Sequence, residues 1–154
     1  MRSHLILLAI CGLFMFACKD KILNPEEQLN ADLDIIEKYL SDNNLTAQNS
    51  ASGLHYIITE PGSGGHPSAQ STVTVKYKGY LTDGTVFDQT TGTSTASFPL
   101  ANLIPAWQEG IPLLQKGGKG TFFCPSYLGY GTNGSGPIPP NSVLIFEIEL
   151  VNFW

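Results

Sequence analysis

Charge is scarce in this chain. Of its 154 residues only 14% are charged, and eight lysines and arginines face thirteen acids; an average soluble protein carries about 25% charged residues. A net charge of −5 with so few cations excludes a nucleic-acid partner, because phosphate contacts need clustered Lys and Arg. Cysteine and histidine number three each, and none stand at the spacings of the usual metal sites, so no metal or other cofactor is expected. His55 and His66 read as ordinary strand or loop residues. The apolar run Leu5 to Ala17 has 13 residues, short of the about 20 that a membrane-crossing helix needs. With 42% hydrophobic residues the chain is neither a disordered chain nor a charged coiled coil.

That short apolar run suits a signal peptide. Arg2 precedes it, and it ends in Met15-Phe16-Ala17-Cys18. A small residue followed at once by Cys resembles a bacterial lipobox, with Met15 where Leu is usual. Residues 1–17 are therefore expected to be a lipoprotein-type signal peptide, and Cys18 the lipidated first residue of the mature chain. More than one acyl chain on Cys18 would anchor the protein firmly to a membrane. Cys124 is then left without a disulfide partner, and in an oxidising compartment a lone thiol is best buried.

Glycine and proline are plentiful, and their distribution divides the chain. Of 26 such residues, 24 fall between Gly53 and Pro140, so turns and short strands should fill the C-terminal two-thirds. Before them, Asn24-Pro25-Glu26-Glu27 has the pattern of a helix start with a capping box. Leu29, Leu33, Ile36 and Leu40 follow as one apolar stripe, with Glu26, Glu27, Asp32, Asp34 and Glu37 expected to cover the other faces. Asn43-Asn44 ends the helix, and residues 46–52 read as a linker. Residues 18–52 thus form a tether with an acidic amphipathic helix, and 53–154 the main domain. From Gly53 onward strands alternate: Leu54 to Thr59; Val73, Val75 and Tyr77; Phe122 and Cys124; and Leu144, Phe146, Ile148 and Leu150. Asp83-Gly84 marks a hairpin turn. The one helix expected in this region runs from Ile104 to Leu114, kept short by Gly110 and Pro112. Strands around one short helix give an α+β domain with an antiparallel sheet.

Familiar catalytic motifs are missing. Gly118-Lys119-Gly120-Thr121 fails as a phosphate loop, because Gly120 separates Lys119 from the hydroxyl and Leu113 replaces the first glycine. No serine has nucleophile-elbow spacing, and Asp88 lacks an acid partner for glycosidase chemistry. What remains is a set of aromatics near strand and loop ends, which packing alone could explain.

Four ordered strings carry more. VKYKGYLTDGTVFD at 75–88, LIPAWQEG at 103–110, PSYLGYG at 125–131 and IPPNSVLIFE at 138–147 closely resemble FKBP-type peptidyl-prolyl cis-trans isomerases over residues 53–153. The signal and acidic helix are similar to those of lipoprotein members from Gram-negative bacteria. The resemblance implies a curled antiparallel sheet of five or six strands over one short helix, with an N-terminal helical extension. It implies an apolar pocket floored by Trp107 and walled by Tyr77, Phe87, Leu103, Ile104 and Phe146. The Tyr130 hydroxyl and the Ile104 N–H would donate to substrate carbonyls, and Asp88 would bond around Tyr77. Phe98 and Ile138 would also meet substrate, Ile138 from a loop over the mouth. Proline-containing polypeptides are the implied substrates and macrolides the implied inhibitors. Ala96 where the family usually has an aromatic, no Arg from Gln89 to Thr95, and a short Gly-rich loop 132–137 depart from its pattern and bear on macrolide affinity. A lipid-anchored, monomeric envelope protein is implied, since the helix is too short for a dimerisation stalk. The intact residue set favours an enzyme over a non-catalytic chaperone or binding module on the same fold. Every pocket position lies beyond Gly53, so residues 19–52 are expected to be dispensable for the chemistry.

Overall fold

A computed structural model describes residues 23–154; the signal segment and Cys18 lie outside the described residues. Helix α1 spans Pro25–Asp42 and starts as its sequence dictates. The Asn24 side chain accepts from the Glu27 N–H at 2.9 Å, and the Glu27 carboxyl accepts from the Asn24 N–H at 3.2 Å. This reciprocal pair satisfies two donors that a helix end otherwise leaves open, worth about 1 kcal/mol. Asn44, in the left-handed region at φ 54°, turns the chain away after the last turn.

Seven strands follow: β1 Gln48–Asn49, β2 His55–Glu60, β3 Thr72–Leu81, β4 Val86–Gln89, β5 Ala96–Pro99, β6 Lys119–Cys124 and β7 Leu144–Phe153. They form one antiparallel sheet in the order β1-β2-β6-β7-β3-β4, with β5 also on β3. The count exceeds the expected five or six because two residues of the supposed linker pair with β2, Gln48 opposite Tyr56 and Asn49 opposite His55. β4 and β5 share one edge of β3: β5 pairs with Thr72 to Val75 and β4 with Lys78 to Tyr80. Thr90 fills the gap between them. Its hydroxyl accepts from the Tyr77 N–H at 3.1 Å, and its N–H donates to the Tyr77 carbonyl at 3.0 Å. That break in the edge leaves Tyr77 at the margin of the sheet's inner face.

Helix α2 spans Pro105–Gly110 and continues as a 3-10 turn over Ile111–Leu113, within the expected Ile104 to Leu114. It packs on the inner face of the sheet. Val73, Val75, Phe122, Cys124, Leu144, Phe146, Ile148 and Leu150 from the strands meet Ala106, Trp107, Ile111 and Leu114 there. A Cβ at Gly110 would stand 2.7 Å from the Phe122 ring, so only glycine lets the helix approach this closely.

The outer face holds a second core. Ile36 and Leu40 of α1 pack on Phe123, Val143 and Ile145, with the Tyr39 and Phe123 rings 5.9 Å apart. One expectation for this helix is corrected. Asp32 does not cover a solvent face; it is completely buried. Its Oδ2 accepts from the Ser126 N–H at 2.7 Å and the Ser126 hydroxyl at 2.6 Å, and its Oδ1 from Gln28 Nε2 at 2.8 Å. Gln28, Asp32, Ile36 and Leu40 lie four apart, which places them on one ridge. The carboxyl group replaces the helix-internal partners missing at the start of the 3-10 turn Ser126–Leu128.

Cys124 is fully buried. Burial, and secondarily the charge of Glu109, pushes its thiol pKa up. A folded-state pKa above the unfolded value of about 8.5 means the folded thiol holds its proton longer. Its contribution to stability is complete below about pH 8.5 and is lost as pH rises, by up to about 1.4 kcal/mol per pH unit. Urea unfolding of wild type at pH 8 and pH 10 should therefore show a steeper alkaline loss than Cys124→Ala. Equal slopes would contradict this assignment.

Candidate active site

Between α2 and the open end of the sheet lies a cavity of about 430 Å³. All ten pocket residues expected from the resemblance line it: Tyr77, Phe87, Asp88, Phe98, Leu103, Ile104, Trp107, Tyr130, Ile138 and Phe146. They come from five separated stretches of chain, which the sheet and α2 gather. Asn102, Ser135, Gly136 and Pro137 complete the lining.

Trp107 stands at the centre, on the first turn of α2, which Pro105 starts. Its indole meets Tyr77, Phe146 and Phe98 edge-to-face at 5.1, 5.4 and 6.1 Å between ring centroids. Phe87 meets Phe146 the same way at 5.6 Å. Edge-to-face packing places ring hydrogens against π faces, worth about 0.5–1.5 kcal/mol per pair beyond burial, and fixes the wall as one interlocked group. A Cβ at Gly79 would stand 2.5 Å from Phe87 and 2.9 Å from Phe146, so both rings occupy space that the glycine leaves.

Tyr77, Asp88, Asn102, Tyr130 and Ser135 bring polar side chains to this surface. The Tyr77 hydroxyl donates to Asp88 Oδ2 at 2.5 Å. Burial, and then that bond and the Asp88 charge, holds the Tyr77 pKa far above the usual phenol value. Burial and then the Asp88 charge raise Tyr130 in the same direction. Both hydroxyls therefore remain protonated donors through physiological pH. Asp88 takes up the Tyr77 donor, whereas the Tyr130 hydroxyl donates to nothing among the described residues. Neither does the backbone N–H of Ile104. Trp107 Nε1 is the one buried side-chain nitrogen or oxygen without a partner among the described residues. An apolar cavity with unspent donors on its wall can hold a ligand that brings carbonyl oxygens and an apolar ring. Among the described residues no three of His, Cys, Asp and Glu gather closely enough to hold a metal ion.

The mouth is shaped by the Gly-rich loop 132–137, of which Ser135, Gly136 and Pro137 line the cavity beside the expected Ile138. Ser135 and Ile138 exchange backbone hydrogen bonds at 3.0 and 2.9 Å, closing a tight turn through Gly136 and Pro137. Gly134 has φ 63° and lies so close to the Ile138 carbonyl that no side chain fits. The signal in the sequence was the Gly134-Ser135-Gly136-Pro137 cluster, which marks a turn but not what the turn covers.

The sequence pattern of the family described as FKBP-type peptidyl-prolyl cis-trans isomerase matches residues 64–151. The chain belongs to this family. It is similar to the FKBP-type peptidyl-prolyl cis-trans isomerase FkpA of Aeromonas hydrophila, 40% identical over 86% of this chain and 53% of that protein. It is also similar to the outer membrane protein MIP of Legionella longbeachae, 44% identical over 66% of this chain and 44% of that one. The crystal structure of FkpA from Escherichia coli superposes with a TM-score of 0.73 at 36% identity, covering 83% of this chain and 61% of that one. The chain spans about half the length of the curated relatives it matches.

Proposed function

We propose that this FKBP-family chain is a peptidyl-prolyl cis-trans isomerase acting on proline-containing polypeptides of the bacterial cell envelope. The observation that carries the reading is the pairing of an aromatic-walled cavity with two unspent donors, the Ile104 N–H and the Tyr130 hydroxyl. Rotation about an X-Pro bond must break amide resonance, at a barrier of about 18–20 kcal/mol. The planar amide is the more charge-separated state, so a site poor in water favours the twisted state relative to it. The proline ring would sit over Trp107, and the two donors would hold flanking carbonyls while the bond turns. Binding the twisted form better than the planar one is the whole of the catalysis, with the shape supplied by the interlocked rings. Apolar residues before proline suit the aromatic wall, and macrolides suit the same cavity as inhibitors.

NMR exchange measurements on X-Pro peptides test the reading. Wild type should accelerate cis/trans exchange. Tyr130→Phe should reduce it by the worth of one hydrogen bond, about 0.5–1.5 kcal/mol, with the thermal midpoint unchanged. A folded wild type with no exchange above background would leave a non-catalytic binding module instead.

The envelope location and the anchor belong to the same proposal. They are supported by the 13-residue apolar run ending in Ala17-Cys18 and by the likeness to a protein named as an outer membrane protein. Cys18→Ser should release the protein from the membrane fraction or leave it unprocessed. Normal processing at another site with unchanged membrane retention would sink the anchor.

A further inference from the structure

We propose that Gln108, which lies outside the cavity, is a positioning residue for the Ile104 donor. This rests on the isomerase reading and deepens it. Gln108 is exposed on the second turn of α2 and is not among the lining residues. Its side-chain amide turns back over the helix start. Nε2 donates to the Leu103 carbonyl at 2.6 Å and to the Ala101 carbonyl at 3.3 Å. An amide nitrogen has two hydrogens, so one side chain spends both on the segment that leads into α2.

The Leu103 carbonyl and the Ile104 N–H belong to the same peptide unit. In a planar trans unit they point in opposite directions. Pulling that carbonyl toward Gln108, outside the cavity, therefore turns the Ile104 N–H away from Gln108. Ile104 itself lines the cavity, and its N–H has no acceptor among the described residues. Little else holds this plane. Leu103 and Ile104 precede the helix, Ile104 has no side-chain cap bond, and the nearest backbone bonds run from the Leu103 N–H to Leu100 and to the Ile104 carbonyl from Trp107 and Gln108. Pro105 confines Ile104 to extended backbone but leaves the plane on its other side free to rock. A hydrogen bond accepted at the carbonyl also polarises the unit, which strengthens the N–H as a donor. Gln108 thus aims and sharpens a group it never touches, and no substrate contact of its own is required.

The test uses the full chain, NMR exchange on an X-Pro peptide, and ¹⁵N spectra of the free protein. Gln108→Met keeps length and helix propensity while removing both donors. It should lower the exchange rate about two- to tenfold, the worth of one hydrogen bond. It should also displace the Ile104 amide cross-peak while leaving the thermal midpoint as in wild type. Gln108→Lys restores a donor at similar reach and should recover most of the rate. A merely structural role would lower the thermal midpoint in step with activity and would not be rescued by Lys. Full activity in Gln108→Met, or lost activity with an unmoved Ile104 cross-peak, would overturn the proposal. An inactive wild type would instead sink the isomerase reading, and an unmoved Ile104 cross-peak would then overturn the positioning role independently.

Discussion

Asp32→Ala is expected to lower the unfolding free energy by about 3–5 kcal/mol. Truncation leaves the Ser126 N–H and hydroxyl without acceptors in a site sealed from water. A buried donor stripped of its partner costs about 1–3 kcal/mol, more when the lost partner was charged. Two are stripped here, and Gln28 loses its acceptor as well. Ser126 opens the turn that leads through Gly129 to Tyr130, so the loss also loosens a donor of the active site. Urea unfolding measures the first effect and peptide exchange the second. Asp32→Asn keeps an acceptor and should cost markedly less. In Asp32→Ala/Ser126→Ala the two losses should fall short of additive, because the second substitution removes a group the first had stranded. A loss below about 1 kcal/mol in the single variant would show that water replaces the carboxyl group. With the expected loss the helix is more than a tether, because its removal takes this acceptor away together with the cover over Phe123 and Ile145.

Gly79→Ala is expected to impair catalysis by at least about tenfold, equivalent to about 1.4 kcal/mol, out of proportion to its size. The added methyl would stand 2.5 Å from Phe87 and 2.9 Å from Phe146, well inside carbon–carbon contact. β3 cannot retreat, because Gly79 is paired on both sides, with Asp88 of β4 and Phe146 of β7. The rings must move instead. Phe87 is partly exposed and yields first, which breaks its edge-to-face contact with Phe146 and opens one wall of the cavity to water. Overpacking typically costs about 1–3 kcal/mol of stability, which a domain of this size can bear, so the variant should fold and still lose exchange activity. Gly79→Ala with wild-type exchange would mean that Phe87 does not wall the substrate. Gly84→Ala in the neighbouring turn is the control, since nothing lies within 4 Å of its Cβ position and its cost is backbone strain at φ 87° alone.

Much of this molecule was legible in order of residues. The capping box at Asn24, the two-residue periodicity of β3 and β7, and the turn at Asp83-Gly84 are local, and local rules place them. The aromatic set of the pocket was legible through four strings, which say which residues belong together without saying how. Asp32 was misplaced because an acid on an amphipathic helix is ordinarily solvated, and only the arrival of Ser126, 94 positions away, makes burial favourable. Ile145 and Phe123 alternate with inward residues and so belong to the face turned from α2; the return of α1 over that face makes it a core.

The sequence by itself determined the class of the domain and the solitary state of Cys124 among the described residues, because composition, period and spacing are properties of neighbours along the chain; it named the residues of the cavity wall only through the resemblance. Tertiary structure decided which donors remain unspent. Whether the Ile104 N–H and the Tyr130 hydroxyl find partners depends on distances between segments that no local pattern encodes. It also decided that the Tyr77 hydroxyl spends its hydrogen bond on Asp88 while the Tyr130 hydroxyl keeps its own available. The packing of the sheet, α2 and the 125–131 segment is what keeps those two donors open, the Tyr130 hydroxyl on an exposed side chain and the Ile104 N–H on the half-buried approach to α2.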